Sequence, residues 1–499
     1  MILDRIIAVK RRDLARERRR KPLSAFEDEI CAAPPVRDFK AALTGGENLA
    51  VIAEHKRSSP SKGVIRADLP LPEVIKSYER GGAAALSILT EQHFFQGSSV
   101  DLKTARNLTD LPILRKDFII DPYQVYEARA LGADAVLLIV AALSDTQLAE
   151  LLELTQQLGM QALVETHTPE ELARALSAGA EIIGINNRNL RTFKTTLETT
   201  LRLAQAVPGE RILVAESGIQ SPADVGTLTG VGVDAVLVGE RLMRAENLAQ
   251  ATRALASVPR RPSARKKKTQ VKICGITSVE QGLTAAAAGA DILGVVFAPS
   301  PKQVSLDLAA KLRAKLSQEY PQVKLAGVFV NTAPERVFSM AQAAGLDLVQ
   351  LHGDETLADI NTLAALRTGA NRFEIIKAVP VHGETAIGNV CDYQDKVDGI
   401  LLDTPSDSAV RGGTGRAFDW RWAALIRCQF PHLKLGLAGG LHPGNVRKAL
   451  AIVNPDLVDV SSGVEAEDQK GVKDLQLVQK FIQQVRQGQT RPHRKEQVV

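Results

Sequence analysis

Short stretches along this sequence set residues able to move protons beside residues able to hold a phosphate. In the first half they read AEHKR (Glu54, Lys56), LRKDF (Lys116), VETH (Glu165), GINNR (Asn186, Arg188), AESGI (Glu216, Ser217, Gly218) and LVGER (Gly239). A lysine held among other charges can be tuned as a proton donor, and a carboxylate beside it as its acid–base partner. Ser59, Ser217, Gly218 and Gly239 offer hydroxyls and backbone N–H groups to a dianion. Structural ion pairs use the same residue types, so the chemistry rests on the set rather than on any one member. The second half holds VKICGIT (Cys274), ILLDT (Asp403), a glycine-rich GGTGRAFDW, LAGGL (Gly439, Gly440) and DVSSGVE (Asp459, Ser461, Ser462). A lone cysteine more often packs as a small hydrophobe, but this one ends an apolar run in acidic and phosphate-binding company. A thiolate base facing a carboxylic acid across a phosphorylated sugar suits an isomerase.

The elements that must bring these groups together follow from a recurring phrase. Glycine, then a small or acidic residue, then aliphatics occurs as GADAVLLIV at 132, GAEIIGI at 179, GVDAVLVG at 232, GADILGVVF at 289 and GLDLVQL at 345. Each reads as a helix closed by a left-handed glycine and followed by a strand buried on both faces. Candidate strands lie at 49–53, 83–89, 112–115, 134–140, 161–164, 181–185, 211–215 and 235–238. A second set lies at 271–273, 292–297, 325–330, 347–351, 374–378, 398–402, 433–437 and 457–460. Eight strands per half, alternating with helical segments, predict an α/β protein of two tandem (β/α)₈ barrels. The reactive stretches then fall at the C-terminal ends of strands, where such barrels carry their chemistry. Ile2, Leu3, Ile6, Ile7 and Leu14 among arginines predict an extra amphipathic helix before the first barrel.

Composition narrows the function classes. The net charge of +5 is more than supplied by Arg260, Arg261, Arg265, Lys266, Lys267 and Lys268, so the rest of the 499 residues is close to neutral. That run has prolines around it and no apolar periodicity, which makes it a solvated joint rather than a nucleic-acid arm. The four cysteines lack CxxC spacing, which argues against a zinc site or a disulfide framework and fits a reducing cytoplasm. No apolar run approaches the roughly 20 residues of a membrane helix. The expected organisation is a barrel over 1–256, a basic linker over 257–269, a barrel over 270–487 and a polar tail over 488–499.

Residues 1–256 resemble indole-3-glycerol-phosphate synthase, through Glu54, Lys56, Arg57, Ser59, Pro60 and Ser61, then Lys116, Glu165, Asn186 with Arg188, and Glu216 to Gly218. The resemblance implies ring closure of a carboxyphenylamino-deoxyribulose phosphate, with loss of carbon dioxide and then water. Lys116 is the expected acid at the ketone oxygen. Lys56 or Lys116 serves with Glu165 in the dehydration, Glu54 orients the lysine, and Phe95 and Phe118 line the anthranilate pocket. The second half resembles phosphoribosylanthranilate isomerase through KICGIT, GVFVN, VQLHG, LLDT, GGTG-FDW, AGGL and DVSSGVE. The resemblance makes Asp403 the general acid that opens the sugar ring and Cys274 the base at carbon 2; His352 could be catalytic on its own chemistry, but a histidine in a tight LHG turn is more often structural. The family's SPR loop is replaced here by FAPSPKQVS, with Lys302 in the place of an arginine that meets the substrate carboxylate. Arg411 and Arg416 are the next candidates for that contact. Neither resemblance calls for a metal or cofactor. The expected partners are phosphorylated anthranilate-sugars acting on a monomer, with no nucleic acid and no membrane. Two other readings remain open: a barrel altered toward a related aminoaldose phosphate, and a nucleic-acid-associated protein using the basic linker.

Overall fold

The computed structural model describes residues 2–60, 63–66, 68–189, 194–260, 268–367, 373–405, 417–467 and 469–488. Most of the basic linker, the glycine-rich loop with Arg411 and Arg416, Ser61 and the tail from 489 lie outside the described residues. The chain divides into two compact units, Met1–Arg265 and Lys266–Val499.

In the first unit, β1 (Ala50–His55), β2 (Ala85–Leu89), β3 (Ile113–Lys116), β4 (Ala135–Ile139), β5 (Gln161–Thr166), β6 (Ile182–Asn186), β7 (Ile212–Glu216) and β8 (Ala235–Val238) close a parallel barrel. In the second, β9 (Gln270–Cys274), β10 (Ile292–Val296), β11 (Lys324–Phe329), β12 (Leu348–Leu351), β13 (Glu374–Pro380), β14 (Gly399–Asp403), β15 (Leu435–Leu437) and β16 (Leu457–Val460) close another. All sixteen coincide with the strands expected from sequence, and no end moves by more than two residues. The glycines of the recurring phrase are left-handed: φ is 85° at Gly132, 87° at Gly179, 82° at Gly232, 100° at Gly289 and 62° at Gly345. An L side chain there would meet its own backbone, which is why the phrase keeps glycine.

The acidic residue of the phrase has a task of its own. Asp134, just before β4, accepts the backbone N–H of Ile113 at the start of β3 (2.8 Å) and pairs with Arg106 (2.8 Å). The second barrel repeats this clamp: Asp291 takes Val271 N–H and Arg486, and Asp347 takes Leu325 N–H and Arg313. Asp398 takes Ile375 N–H and Arg367, and Asp456 takes Leu435 N–H and Arg427. Each clamp closes the N-terminal end of two neighbouring strands, the end that serves stability rather than chemistry.

Helix α1 (Ile2–Arg20) buries Ile6, Ile7 and Leu14 and turns its arginines outward, as its spacing predicts. Two further helices, α2 (Ala25–Ala32) and α3 (Phe39–Thr44), were not anticipated from sequence. Asp38 caps α3 by accepting Ala41 N–H at 2.7 Å, and Phe39 and Leu43 join the barrel's interior cluster with Ile52, Leu114, Leu163 and Val214. Burying each such side chain contributes roughly 1.5–3 kcal/mol. Strand side chains alternate, so the inward position after Ile52 is Glu54. By the same step Leu114 leads to Lys116, Leu163 to Glu165, Val214 to Glu216 and Leu237 to Gly239. An apolar lower interior thus gives way to a polar mouth within one pleat.

Candidate active sites

At the first mouth the Lys116 ammonium lies 3.1 Å from Glu165 and 3.4 Å from Glu216. Asn186 donates to the other oxygen of Glu165 at 3.0 Å. All four line one cavity of about 300 Å³, together with Glu54, Lys56, Phe95, Phe118, Arg188, Ser217, Gly218 and Gly239. Burial alone would lower the lysine's pKa, but Glu165, Glu216 and Glu54 override it and hold the ammonium above its ordinary range. Burial likewise opposes charge on Glu165, yet Lys116 and Asn186 win and keep it a carboxylate. Glu216 goes the other way: burial, with repulsion from Glu165 and Glu54, pushes it up to about 8 against the pull of Lys116. At neutral pH the trio is therefore an ammonium, a carboxylate and a carboxylic acid, one stored proton at each side of one ionised base.

Lys56 lies 3.1 Å from Glu54, which fits the expectation that this glutamate orients a lysine, and its ammonium sits 5.6 Å from the centre of the Phe95 ring. Phe95 and Phe118 face each other with centroids 6.1 Å apart. Two glycines make room for the carboxylates. A Cβ at Gly184 would fall 2.2 Å from Glu216, and one at Gly239 would fall 2.4 Å from Glu54, so Gly239 has a spatial task besides offering its N–H. Ser217 and Gly218 both adopt positive φ (65° and 81°), a strained conformation for the serine at the rim of the cavity. Arg188 reaches Glu240 at 3.4 Å. Ser59 is not among the residues lining the cavity. It is buried in a two-residue hairpin pairing Ser58–Ser59 with Gly63–Val64, its hydroxyl without a hydrogen-bond partner among the described residues.

At the second mouth Cys274, Lys302, His352, Asp403, Gly439, Gly440, Asp459, Ser461 and Ser462 line a cavity of about 400 Å³. Burial pushes the Cys274 thiol up, opposed by Lys272 and Lys473, so the sulfur rests protonated. Asp403 accepts Thr404 N–H at 2.7 Å and meets His352 Nε2 at 3.1 Å, while His352 Nδ1 lies 2.8 Å from the Gln350 amide nitrogen. Ser461 donates to the Cys274 carbonyl at 3.0 Å and fixes the strand end that carries the thiol. Lys302 is no solvated surface lysine: it pairs with Glu465 at 2.5 Å and donates to Ser461 at 2.9 Å. Asp459, expected with the phosphate-binding residues, is engaged by the buried Lys272 at 2.6 Å, and its charge would repel a phosphate.

Lys272, Glu465 and Lys473 were missed by sequence reasoning. Alternation offered a signal for the first, since Lys272 shares the inward parity of Cys274. Glu465 closes the DVSSGVE stretch, whereas no local pattern marks Lys473. Among the described residues no group of His, Cys, Asp and Glu is arranged to hold a metal ion, and no helix is long and apolar enough to cross a membrane.

Comparison with known proteins meets these two mouths separately. The family model for indole-3-glycerol phosphate synthase matches residues 3–255, and that for N-(5'-phosphoribosyl)anthranilate isomerase matches residues 271–484. A multifunctional tryptophan biosynthesis protein of Phycomyces blakesleeanus is 39% identical over 91% of this chain and 65% of its own length. One from Schizosaccharomyces pombe is 37% identical over 97% of this chain and 66% of its own length. The chain thus spans about two thirds of these relatives. A tryptophan biosynthesis protein of Phytophthora nicotianae is 38% identical, with 92% of this chain and 96% of that protein covered. The chain therefore belongs to the indole-3-glycerol phosphate synthase family in its first barrel and to the phosphoribosylanthranilate isomerase family in its second, fused as in the tryptophan biosynthesis proteins.

Proposed function

We propose that the second barrel isomerises phosphoribosylanthranilate to carboxyphenylamino-deoxyribulose phosphate, and that the first closes this product to indole-3-glycerol phosphate. The observation that carries the reading is the Lys116–Glu165–Glu216 trio, an ammonium 3.1 and 3.4 Å from two carboxyl groups in a cavity that also holds two aromatic rings. The isomerase is assigned to 270–487 and the synthase to 1–256, with 257–269 as the joint.

In the second barrel Asp403 gives a proton to the ring oxygen of the aminofuranose, and the ring opens to an iminium. Cys274 removes the proton from carbon 2. The resulting enaminol is protonated at carbon 1 and loses its hydroxyl proton, leaving the ketone. Gly439, Gly440, Ser461 and Ser462 hold the phosphate, and Lys302 meets the anthranilate carboxylate, exchanging part of its pairing with Glu465.

In the first barrel the aromatic carbon bearing the carboxylate attacks the ketone while Lys116 protonates its oxygen. Carbon dioxide leaves with its bonding pair returned to the ring. Dehydration then requires a proton on the departing hydroxyl and removal of one from the adjacent ring methylene, the former carbon 1 of the sugar, while the ring nitrogen keeps its hydrogen. Lys56, oriented by Glu54, suits the first task and Glu165 the second. Phe95 and Phe118 enclose the aromatic ring, and Ser217, Gly218 and Gly239, with Arg188 on the same cavity wall, take the phosphate.

The test is an assay of the purified chain with phosphoribosylanthranilate. Loss of anthranilate fluorescence followed by indole absorbance is expected. Fluorescence loss without indole would remove the synthase assignment, and no loss would remove the isomerase assignment, the synthase then being read with supplied carboxyphenylamino-deoxyribulose phosphate.

A further inference from the structure

The proposed base has a neighbour that the reaction above does not use. Lys272 precedes Cys274 by two residues on β9, so both face the barrel interior. Its side chain is 1% exposed and does not line the cavity. A buried ammonium is costly unless its hydrogens are met. Asp459 on β16 takes one at 2.6 Å and Gln350 on β12 another at 2.7 Å. The same ammonium acts on the Cys274 thiol, whose ionisation it favours. Packing agrees: a Cβ at Gly294 would fall 2.8 Å from the Cys274 sulfur and 3.0 Å from Lys272 Cε, so both lie over the same bare backbone.

We propose that Lys272 is the positioning residue of the isomerase base, holding the Cys274 sulfur against Gly294 and stabilising it as a thiolate when it takes its turn in the reaction. The inference rests on the assignment of Cys274 as base, and it adds a group that acts through the sulfur without touching substrate. The lysine's influence extends further. An ammonium offers only donors, so the Gln350 oxygen must face it and the amide nitrogen must face His352 Nδ1 at 2.8 Å. His352 then accepts at Nδ1 and donates from Nε2 to Asp403 at 3.1 Å. One buried charge orients both members of the acid–base pair. The charged groups that act on the thiol are Lys272 and Lys473, which favour its ionisation, and Asp459, which opposes it.

The experiment follows the rate of Cys274 alkylation by iodoacetamide against pH in the full chain. It is read on the Cys274 peptide by mass spectrometry, because Cys31 and Cys391 are exposed and react as well. Lys272→Met should move the inflection up by about one pH unit or more and slow alkylation near neutrality by about tenfold. Isomerase kcat should fall with KM little changed, and Lys272→Arg should restore part of both. Asp459→Asn, which removes the opposing charge, should move the inflection down, and it decides the matter if Lys272→Met does not fold. An inflection unchanged in every folded variant overturns the role of Lys272. Retained isomerisation by Cys274→Ser would instead overturn the base assignment itself, so the two failures are told apart.

Discussion

The Lys116 ammonium stands 3.1 Å from the Glu165 carboxylate, so the expected acid and the expected base of the first mouth are each other's partner before substrate arrives. Substrate must divide this pair. Lys116→Ala should lower indole formation by at least about a hundredfold, the size of one general acid, while isomerisation continues and the aminodeoxyketose phosphate accumulates. Single-turnover analysis of the mixture by chromatography checks it. Normal indole production would take Lys116 out of the reaction.

Glu216 gives a pH signature. In the folded protein it keeps its proton up to about 8, whereas in the unfolded chain it releases it near its ordinary 4.5. Its contribution to stability is therefore whole at low pH, declines as pH rises from about 4.5, and is exhausted above about 8. Glu216→Gln cannot ionise and lacks that slope. Urea melts across this range should show the variant gaining on the parent as pH rises. Parallel curves would mean that Glu216 is ionised throughout.

For the isomerase pair, Cys274→Ser exchanges a thiol for a hydroxyl far too weakly acidic to serve as base, at little change in volume. Asp403→Asn removes the acid. Each should abolish fluorescence loss with phosphoribosylanthranilate while circular dichroism stays that of the parent. Indole formation from supplied carboxyphenylamino-deoxyribulose phosphate should persist in both.

Lys302 tests the carboxylate contact. Lys302→Ala should raise KM for phosphoribosylanthranilate by about tenfold or more, the loss of one charge-assisted hydrogen bond. Lys302→Arg should hold it or lower it, since a guanidinium presents paired donors. Glu465 keeps Lys473 at 3.1 Å, so the alanine variant leaves no orphaned carboxylate to confuse the reading. An unchanged KM would return Lys302 to a purely structural pair.

At the other end of the first barrel, Asp134→Ala breaks a pair whose side chains are 4% and 0% exposed. Loss of one partner of such a buried pair costs about 3–5 kcal/mol, on the order of a 10 °C fall in Tm for a domain of this size. The kcat of indole formation, measured well below the new Tm, should stay at the parental value.

The strands were legible because a strand covered on both faces must be aliphatic and must begin after a helix has been stopped, and a glycine announces the stop at five of the joins. The reactive side chains were legible because each ends such a run. Lys272 was not: in VKIC a lysine between aliphatics looks the same whether it faces water or the barrel axis, and only register assigns it inward. Asp459 shows the converse: its place at a strand end suggests ligand binding, and it does line the cavity, but one of its oxygens is held by that lysine. Helix α3 was hidden because FKAALT is too short to display a period, and Ser59 because a hairpin of two-residue strands leaves no alternation to read.

The aspartate–arginine clamp has a further consequence for what the second barrel is. It falls between β9 and β10, β11 and β12, β13 and β14, and β15 and β16, on every second join around the ring. The unit that recurs is a pair of strands, so a ring that counts as eight is a fourfold repetition. In the first barrel the Asp134 clamp between β3 and β4 has a counterpart between β7 and β8, where Asp234 takes Leu213 N–H and Arg260. The aspartate and arginine are thus the stitch of a two-strand module, present at four joins of the second barrel and two of the first.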